Sequence, residues 1–228
     1  MKTCLDSVIA TTKLNDDIEI IVTMNGCETE GRKYVESLGK HVRFIWIDRR
    51  IGAISAFNLA ASIANGEYLV KLDDDIEILT WGENNYWLQL LTEPYSDSNM
   101  GATGPVIDPN YEEVVGFCMM TPNKLFHELG GFDPQFDPVW GDDIDYCYRL
   151  KKAGYKIAQN PPFLNVINGI FQMGFPLNHD SEDRHSARSI EEKIKQYELA
   201  EDHKRIIREK HSDLQLPQGI LLPCVKSW

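Results

Sequence analysis

Apolar and polar positions along the first third of the chain fall into blocks that switch between two periods. Residues 17–24 are rich in β-branched side chains and stop at Asn25-Gly26, which predicts a strand and a turn. Residues 28–39 read as a helix, and residues 42–47 as a second strand ending at Asp48-Arg49-Arg50. From 53 to 64 every residue is apolar except Ser55, Asn58 and Ser62, which share one helical stripe. That pattern predicts a helix otherwise surrounded by protein, with Gly66 as its C′ residue. A third strand, 68–72, completes a strand–helix–strand–helix–strand series, which implies parallel strands with covering helices. Ligands of such sheets bind beyond the carboxyl ends of the strands.

The third strand ends in Asp73-Asp74-Asp75. Adjacent carboxylates repel by roughly a kcal/mol or more per close pair unless a cation lies among them, and oxygen-rich clusters suit Mg²⁺ or Mn²⁺. On an extended chain Asp73 and Asp75 would face one cation and Asp74 the other way. A solvated acidic turn is the alternative. Downstream, the pattern predicts a helix over 81–91, a polar loop over 93–99, strands over 101–107 and 113–120, and a short helix over 121–129. An irregular loop with Phe132, Pro134, Phe136, Pro138 and Trp140 leads to Gly141-Asp142-Asp143-Ile144-Asp145, which opens a helix closed by Gly154. Carboxylates in a first helical turn are favourable by about 0.3–1 kcal/mol each, so helix stabilisation alone is one account of Asp142, Asp143 and Asp145. Short strands and turns are expected over 156–175. Ser189 and Glu192 form a capping box for a charged helix reaching about His211. Residues 218–225 read as an apolar strand with the composition of a buried element.

The 228 residues suffice for one large domain. A net charge of -12 argues against broad nucleic-acid binding, yet admits a small phosphorylated ligand through a bound divalent cation. No apolar run approaches the roughly 20 residues of a transmembrane span, and no signal peptide is visible. Cys4, Cys27, Cys118, Cys147 and Cys224 are scattered and form no C-x-x-C pair, so reduced thiols in a cytoplasmic protein are expected.

Three blocks of this sequence resemble the family-two glycosyltransferases of the GT-A fold. The first runs from Arg50 through Asn58 to the Ala64-Asn-Gly-Glu-Tyr-Leu-Val-Lys-Leu-Asp-Asp-Asp75 run. The second is Gly116-Phe-Cys-Met-Met120 with Gly130-Gly-Phe-Asp-Pro134. The third is Trp140-Gly-Asp-Asp-Ile-Asp-Tyr-Cys-Tyr-Arg-Leu-Lys-Lys-Ala-Gly-Tyr155. The resemblance implies an α/β fold with a mostly parallel central sheet, helices on both faces, and a single domain over 1–228. Within it, 1–100 with 218–228 would bind the nucleotide sugar, 101–185 the acceptor, and 186–217 would form a C-terminal helix.

The implied reaction is metal-dependent transfer of a sugar, with inversion, from a nucleotide diphosphate sugar to the hydroxyl of a carbohydrate or other acceptor. By resemblance, Asp75, Asp73 and His179 would hold Mn²⁺ or Mg²⁺, and Asp143 would be the base. Asn25, Arg50, Asn58, Asp73, Asp74, Pro223 and Lys226 would contact the nucleotide sugar, and Trp140, Asp142 and Asp145 the acceptor. Phe136 and Trp81 are further stacking candidates or core. A nucleotidyltransferase and a non-catalytic carbohydrate-binding relative are the competing readings.

Four features depart from the family pattern. Met24-Asn25-Gly26 stands where the family usually carries an aspartate that reads the base, and Arg50 stands where it has an asparagine and could instead contact a phosphate. Asp142 replaces its glutamate, and residues 1–9 look like its first helix, with no strand before them. The segment 219–228 looks like that strand. A circular permutation is therefore expected, with this segment inserted centrally beside 18–23; a truncated fold with an unrelated tail is the alternative.

Overall fold

A computed structural model describes residues 1–15, 17–27, 29–80, 84–106, 112–161, 165–167, 170–172, 174–179 and 189–213. In chain order the elements are α1 (Lys2–Thr11), β1 (Ile20–Asn25), α2 (Thr29–Ser37), β2 (Val42–Ile47), α3 (Ala53–Ala61), β3 (Tyr68–Leu72), β4 (Ile76–Ile78) and α4 (Tyr86–Thr92). They continue with β5 (Met100–Gly104), β6 (Cys118–Pro122), α5 (Asn123–Glu128), α6 (Asp142–Lys152), β7 (Lys156–Gln159), β8 (Asn165–Ile167), β9 (Ile170–Gln172), β10 (Leu177–His179) and α7 (Ile190–Lys210).

The strands form a mixed arrangement, not a mostly parallel one. β1 and β2 pair in parallel from Ile20↔Val42 to Asn25↔Ile47. Among the described residues a second sheet has the order β3-β6-β5-β7, in which β6 runs antiparallel to both neighbours and β5 pairs with β7 in parallel. The expected strand at 113–120 begins only at Cys118, because the preceding residues fold back over the end of β3, where Asp73 N–H donates to the Phe117 carbonyl at 2.9 Å. β4 pairs antiparallel with β10, bringing His179 opposite Ile76.

Apolar packing lies on both faces of β3. Leu69 joins Ile54 and Ala61 of α3 with Phe126, Phe132 and Tyr146. Tyr68, Val70 and Leu72 pack on the other face with Cys4 and Val8 of α1 and Trp87 of α4. α3 ends at Ala61 with Ser62 as its cap, so Gly66 is not its C′ residue. Its start is fixed from far along the chain: Asp137 accepts from the Ile54 and Ser55 N–H groups at 3.1 and 3.3 Å and from the Ser55 hydroxyl. Gly52, at φ +86°, makes room for that carboxylate, since a Cβ there would lie 2.1 Å from its Oδ1.

α7 carries the expected capping box between Ser189 and Glu192. Its far end is anchored in the core by Asp145, fully buried, which meets Arg149 at 2.8 Å, Lys210 at 2.7 Å and His211 at 2.9 Å. Among the described residues no helix is long and apolar enough to cross a membrane.

Candidate functional site

The chain leaves β3 not as an extended strand but as a tight turn. Asp73 to Asp75 occupy it, with Ile76 N–H reaching back to the Asp73 carbonyl at 3.4 Å. The strict alternation expected of an extended strand therefore does not apply. Asp73 turns toward Lys71, whose ammonium meets its Oδ1 at 2.8 Å. Asp75 turns toward His179, with Oδ2 and Nε2 3.5 Å apart. The β4–β10 pairing delivers this histidine, and its ring packs on Phe117 with centroids 4.6 Å apart. Asp74 is exposed, and the Met1 ammonium donates to its carbonyl at 2.5 Å.

Across from this turn, α6 opens with its acidic residues. Asp143 Oδ2 accepts from the Gly116 N–H at 2.8 Å, and its Oδ1 from the Ile144 N–H at 2.8 Å. The Gly116 carbonyl accepts from Lys71. A Cβ at position 116 would lie 3.2 Å from the Asp143 Cβ and 3.3 Å from Lys71 Nζ, so a larger residue would have to push these neighbours back by a few tenths of an ångström. Asp142 is buried, and its Oδ2 has no hydrogen-bond partner among the described residues.

Lys71 is the electrostatic centre of this group. Burial would push its ammonium down, but Asp73, Asp142 and Asp143 more than offset that and hold it above the ordinary lysine value. Burial raises both α6 carboxyls, against the pull of Lys71. Asp142 is pushed up to about 7, and Asp143 is raised despite its backbone N–H donors.

Asp73, Asp74, Asp75, His179, Asp142, Asp143, Asn25, Arg50 and Trp140 all line one cavity of about 2000 Å³. Other expected contacts are committed elsewhere. Asn58 donates to the Phe132 carbonyl at 2.7 Å and accepts its N–H at 3.1 Å, so it clamps a loop and is spent as a nucleotide contact. Asn25 similarly holds the loop before α3, through the Gly52 carbonyl and the Ile51 N–H. Asp145 cannot reach an acceptor, because it is fully buried among three cationic or imidazole partners. Phe136 is core, fully buried and edge-on to His203. Trp81, Pro223 and Lys226 lie outside the described residues.

Sequence reasoning missed two residues. Lys71 carried a signal, a lone lysine in an apolar strand two positions before the acidic turn. Asp137 carried none, since the helix it caps lies more than eighty residues earlier.

A divalent cation fits this site in part. The carboxylate of Asp75 and the imidazole of His179 are a hard and a borderline donor of the kind Mn²⁺ accepts. Among the described residues no group of three or more His, Cys, Asp or Glu side chains stands close enough to hold an ion. A pair of protein ligands completed by substrate phosphates is an ordinary arrangement for such cations.

The family model described as glycosyl transferase family 2 matches residues 1–130. Among curated proteins the chain is similar to the O-antigen biosynthesis protein RfbC of Myxococcus xanthus, at 23% identity over 69% of this chain and 15% of that protein. It is also similar to the uncharacterized protein y4gI of Sinorhizobium fredii, at 21% identity over 71% of this chain and 22% of that protein. The chain thus spans less than a quarter of the length of either relative. Among solved structures it resembles the mannosyltransferase PcManGT from Pyrobaculum calidifontis in complex with GDP-Man and Mn²⁺. The TM-score is 0.59 and the identity 20%, over 81% of this chain and 55% of that one. GalNAc-T7 with UDP, GalNAc and Mn²⁺ gives a TM-score of 0.58 at 18% identity, over 77% and 39% of the two chains. At these identities the likeness concerns the fold. The family model covers more than half of the chain, and both solved folds match most of it: this protein belongs to glycosyl transferase family 2 and has the GT-A fold.

Proposed function

We propose that this protein is an inverting glycosyltransferase that moves a sugar from a nucleotide diphosphate sugar to an acceptor hydroxyl. The observation that carries this reading is a convergence: the Asp75–His179 pair and the Asp143 carboxylate open on one cavity, tied together through Lys71 and Gly116. Asp143 takes the proton of the acceptor hydroxyl as its oxygen attacks the anomeric carbon from the face opposite the leaving diphosphate. Two backbone donors fix the carboxylate in orientation, and burial lifts its basicity toward the working pH, as a general base requires. Asp75 and His179 would hold a divalent cation, with the imidazole favouring Mn²⁺ over Mg²⁺. When bound, that ion offsets the charge developing on the diphosphate. Lys71 keeps Asp73 and the α6 carboxylates from repelling one another before substrate arrives. Trp140, with Gln196 and Tyr197 of α7, forms the acceptor wall.

The test is calorimetric titration of nucleoside diphosphates with and without Mn²⁺. Binding is expected only with the metal and is lost in Asp75→Asn, while the variant's unfolding transition is unchanged. At about 100 times its Kd such a ligand also stabilises the intact protein by about 2.7 kcal/mol. Metal-independent binding, or none, would overturn the reading.

A further inference from the structure

Two residues with side chains stand at positive φ among those described, Asn85 at +69° and Trp140 at +73°. Asparagine tolerates that backbone, but an indole there is an outlier. Glycine is the ordinary occupant of such a position, and the chain has one next door, Gly141 at φ +92°. Outliers of this kind persist only where the surroundings over-determine them, and they cluster where a side chain is needed at a site. Trp140 lines the cavity, is only partly buried, and belongs to none of the three apolar clusters formed by the described residues. Its indole is placed for the cavity and not for the core.

The loop that carries it is held from two sides. On one side Asp137 caps α3, and the Pro138 carbonyl accepts from the Ala53 N–H at 3.0 Å. On the other side α7 supplies His203, which is 3% exposed. Its Nδ1 lies 2.8 Å from the Trp140 carbonyl oxygen, and its ring stands edge-on to Phe136 with centroids 5.3 Å apart. A carbonyl only accepts, so Nδ1 carries the proton in this contact. Burial holds His203 below the ordinary histidine value and so favours the neutral ring with that proton on Nδ1. At position 141 a Cβ would lie 2.8 Å from the Phe136 ring, so the side chain at this turn is carried by 140 and not by 141.

We propose that His203 is a positioning residue: its Nδ1–H, bonded to the Trp140 carbonyl, locks residue 140 in the left-handed conformation that presents the indole to the cavity as a flat face for a pyranose ring of the acceptor. The sign of φ decides on which side of the loop the side chain leaves the chain, so the lock sets direction. An indole offers a wide apolar face and a single N–H, which suits the C–H face of a sugar ring and its hydroxyl rim. The sugar face rests on the acceptor wall proposed above; the lock does not.

Fluorine NMR of the whole protein labelled with 5-fluorotryptophan reads the lock without nucleotide, metal or turnover. The chain has five tryptophans, and Trp140→Phe assigns the signal of interest. His203→Leu is expected to move or broaden the Trp140 signal while those of Trp46 and Trp87 stay in place. In His203→Asn, whose amide N–H stands near the place of Nδ1, the signal should return to the parent position. Nitrogen-15 spectra of the unaltered protein should show His203 protonated at Nδ1. An unmoved Trp140 signal in His203→Leu, or a bare Nδ1 in the unaltered protein, would overturn the lock. The sugar face is read separately, by titrating methyl glucoside, methyl galactoside and methyl mannoside, alone and with UDP or GDP and Mn²⁺. At least one should shift the Trp140 signal, with a Kd about fivefold higher in His203→Leu, the equivalent of one lost hydrogen bond, and unchanged in His203→Asn. If none shifts it, the indole is not a sugar face even with the lock intact. Neither outcome touches the metal and base assignments, which the calorimetry and Asp143→Asn test.

Discussion

Replacing Asp142 by asparagine is expected to stabilise this protein at alkaline pH. The carboxyl is buried, one oxygen lacks a hydrogen-bond partner among the described residues, and its proton affinity is raised from the ordinary aspartate value of 3.8 to about 7. The folded state therefore keeps a proton that the unfolded state releases. Stability from this group is greatest below about pH 4, falls as pH rises through the window from about 4 to about 7, and is level above it. Three factors of ten in proton affinity correspond to about 4 kcal/mol across the whole window. Between about pH 5.5 and pH 8.5 roughly half of that, about 2 kcal/mol, remains to be lost. The asparagine variant has no such proton to lose. Urea unfolding of both proteins at the two pH values gives the double difference directly. The variant should gain about 2 kcal/mol over the parent on going from pH 5.5 to pH 8.5. A gain within about 0.5 kcal/mol of zero, the scatter of an ordinary surface change, would refute the reasoning.

Three further outcomes follow from the same geometry. Asp143→Asn should keep metal-dependent nucleotide binding and lose sugar transfer by at least about 100-fold in a product assay, with Asp142→Asn losing far less; equal losses would assign both to the helix start. Lys71→Met leaves Asp142 and Asp143 buried without their counter-ion, so denaturant titration should show a loss of about 3 kcal/mol at pH 8 that shrinks at pH 5.5, where Asp142 is protonated. Gly52→Ala puts a Cβ against Asp137 on a backbone of φ +86°, and thermal unfolding should show a cost of at least about 2 kcal/mol.

The parts of the fold legible in the sequence were those encoded locally. β2 and β3 have the expected limits because each is a short apolar run between polar residues, and the capping box placed the start of α7. Errors arose where a distant residue decided a local question. The acidic triplet was read as extended, but Asp73 and Asp75 are drawn apart by Lys71 and by a histidine delivered on β10. Asn58 looked free for a ligand until Phe132 took both ends of its amide. Asp145 shares a first helical turn with Asp143 and cannot be told from it by spacing. Its partner His211 lies 66 positions later, and that contact turns it into the core.

That buried carboxylate also limits how this protein can be rebuilt. Tyr197 and Gln196 line the cavity from one half of α7, so the helix is the module to exchange if the proposed acceptor wall is to be altered. Its other half is not separable from α6, which carries the proposed base Asp143. Lys210 and His211 both contact Oδ1 of Asp145, two positions from Asp143 on the same helix. A graft that alters the proposed acceptor wall but omits those two residues would leave Arg149 on one oxygen of Asp145 and strip the other, buried oxygen of its partners, at a cost of about 1–3 kcal/mol. Changes aimed at the proposed acceptor wall thus belong in the first half of the helix, and the second half must be kept together with α6.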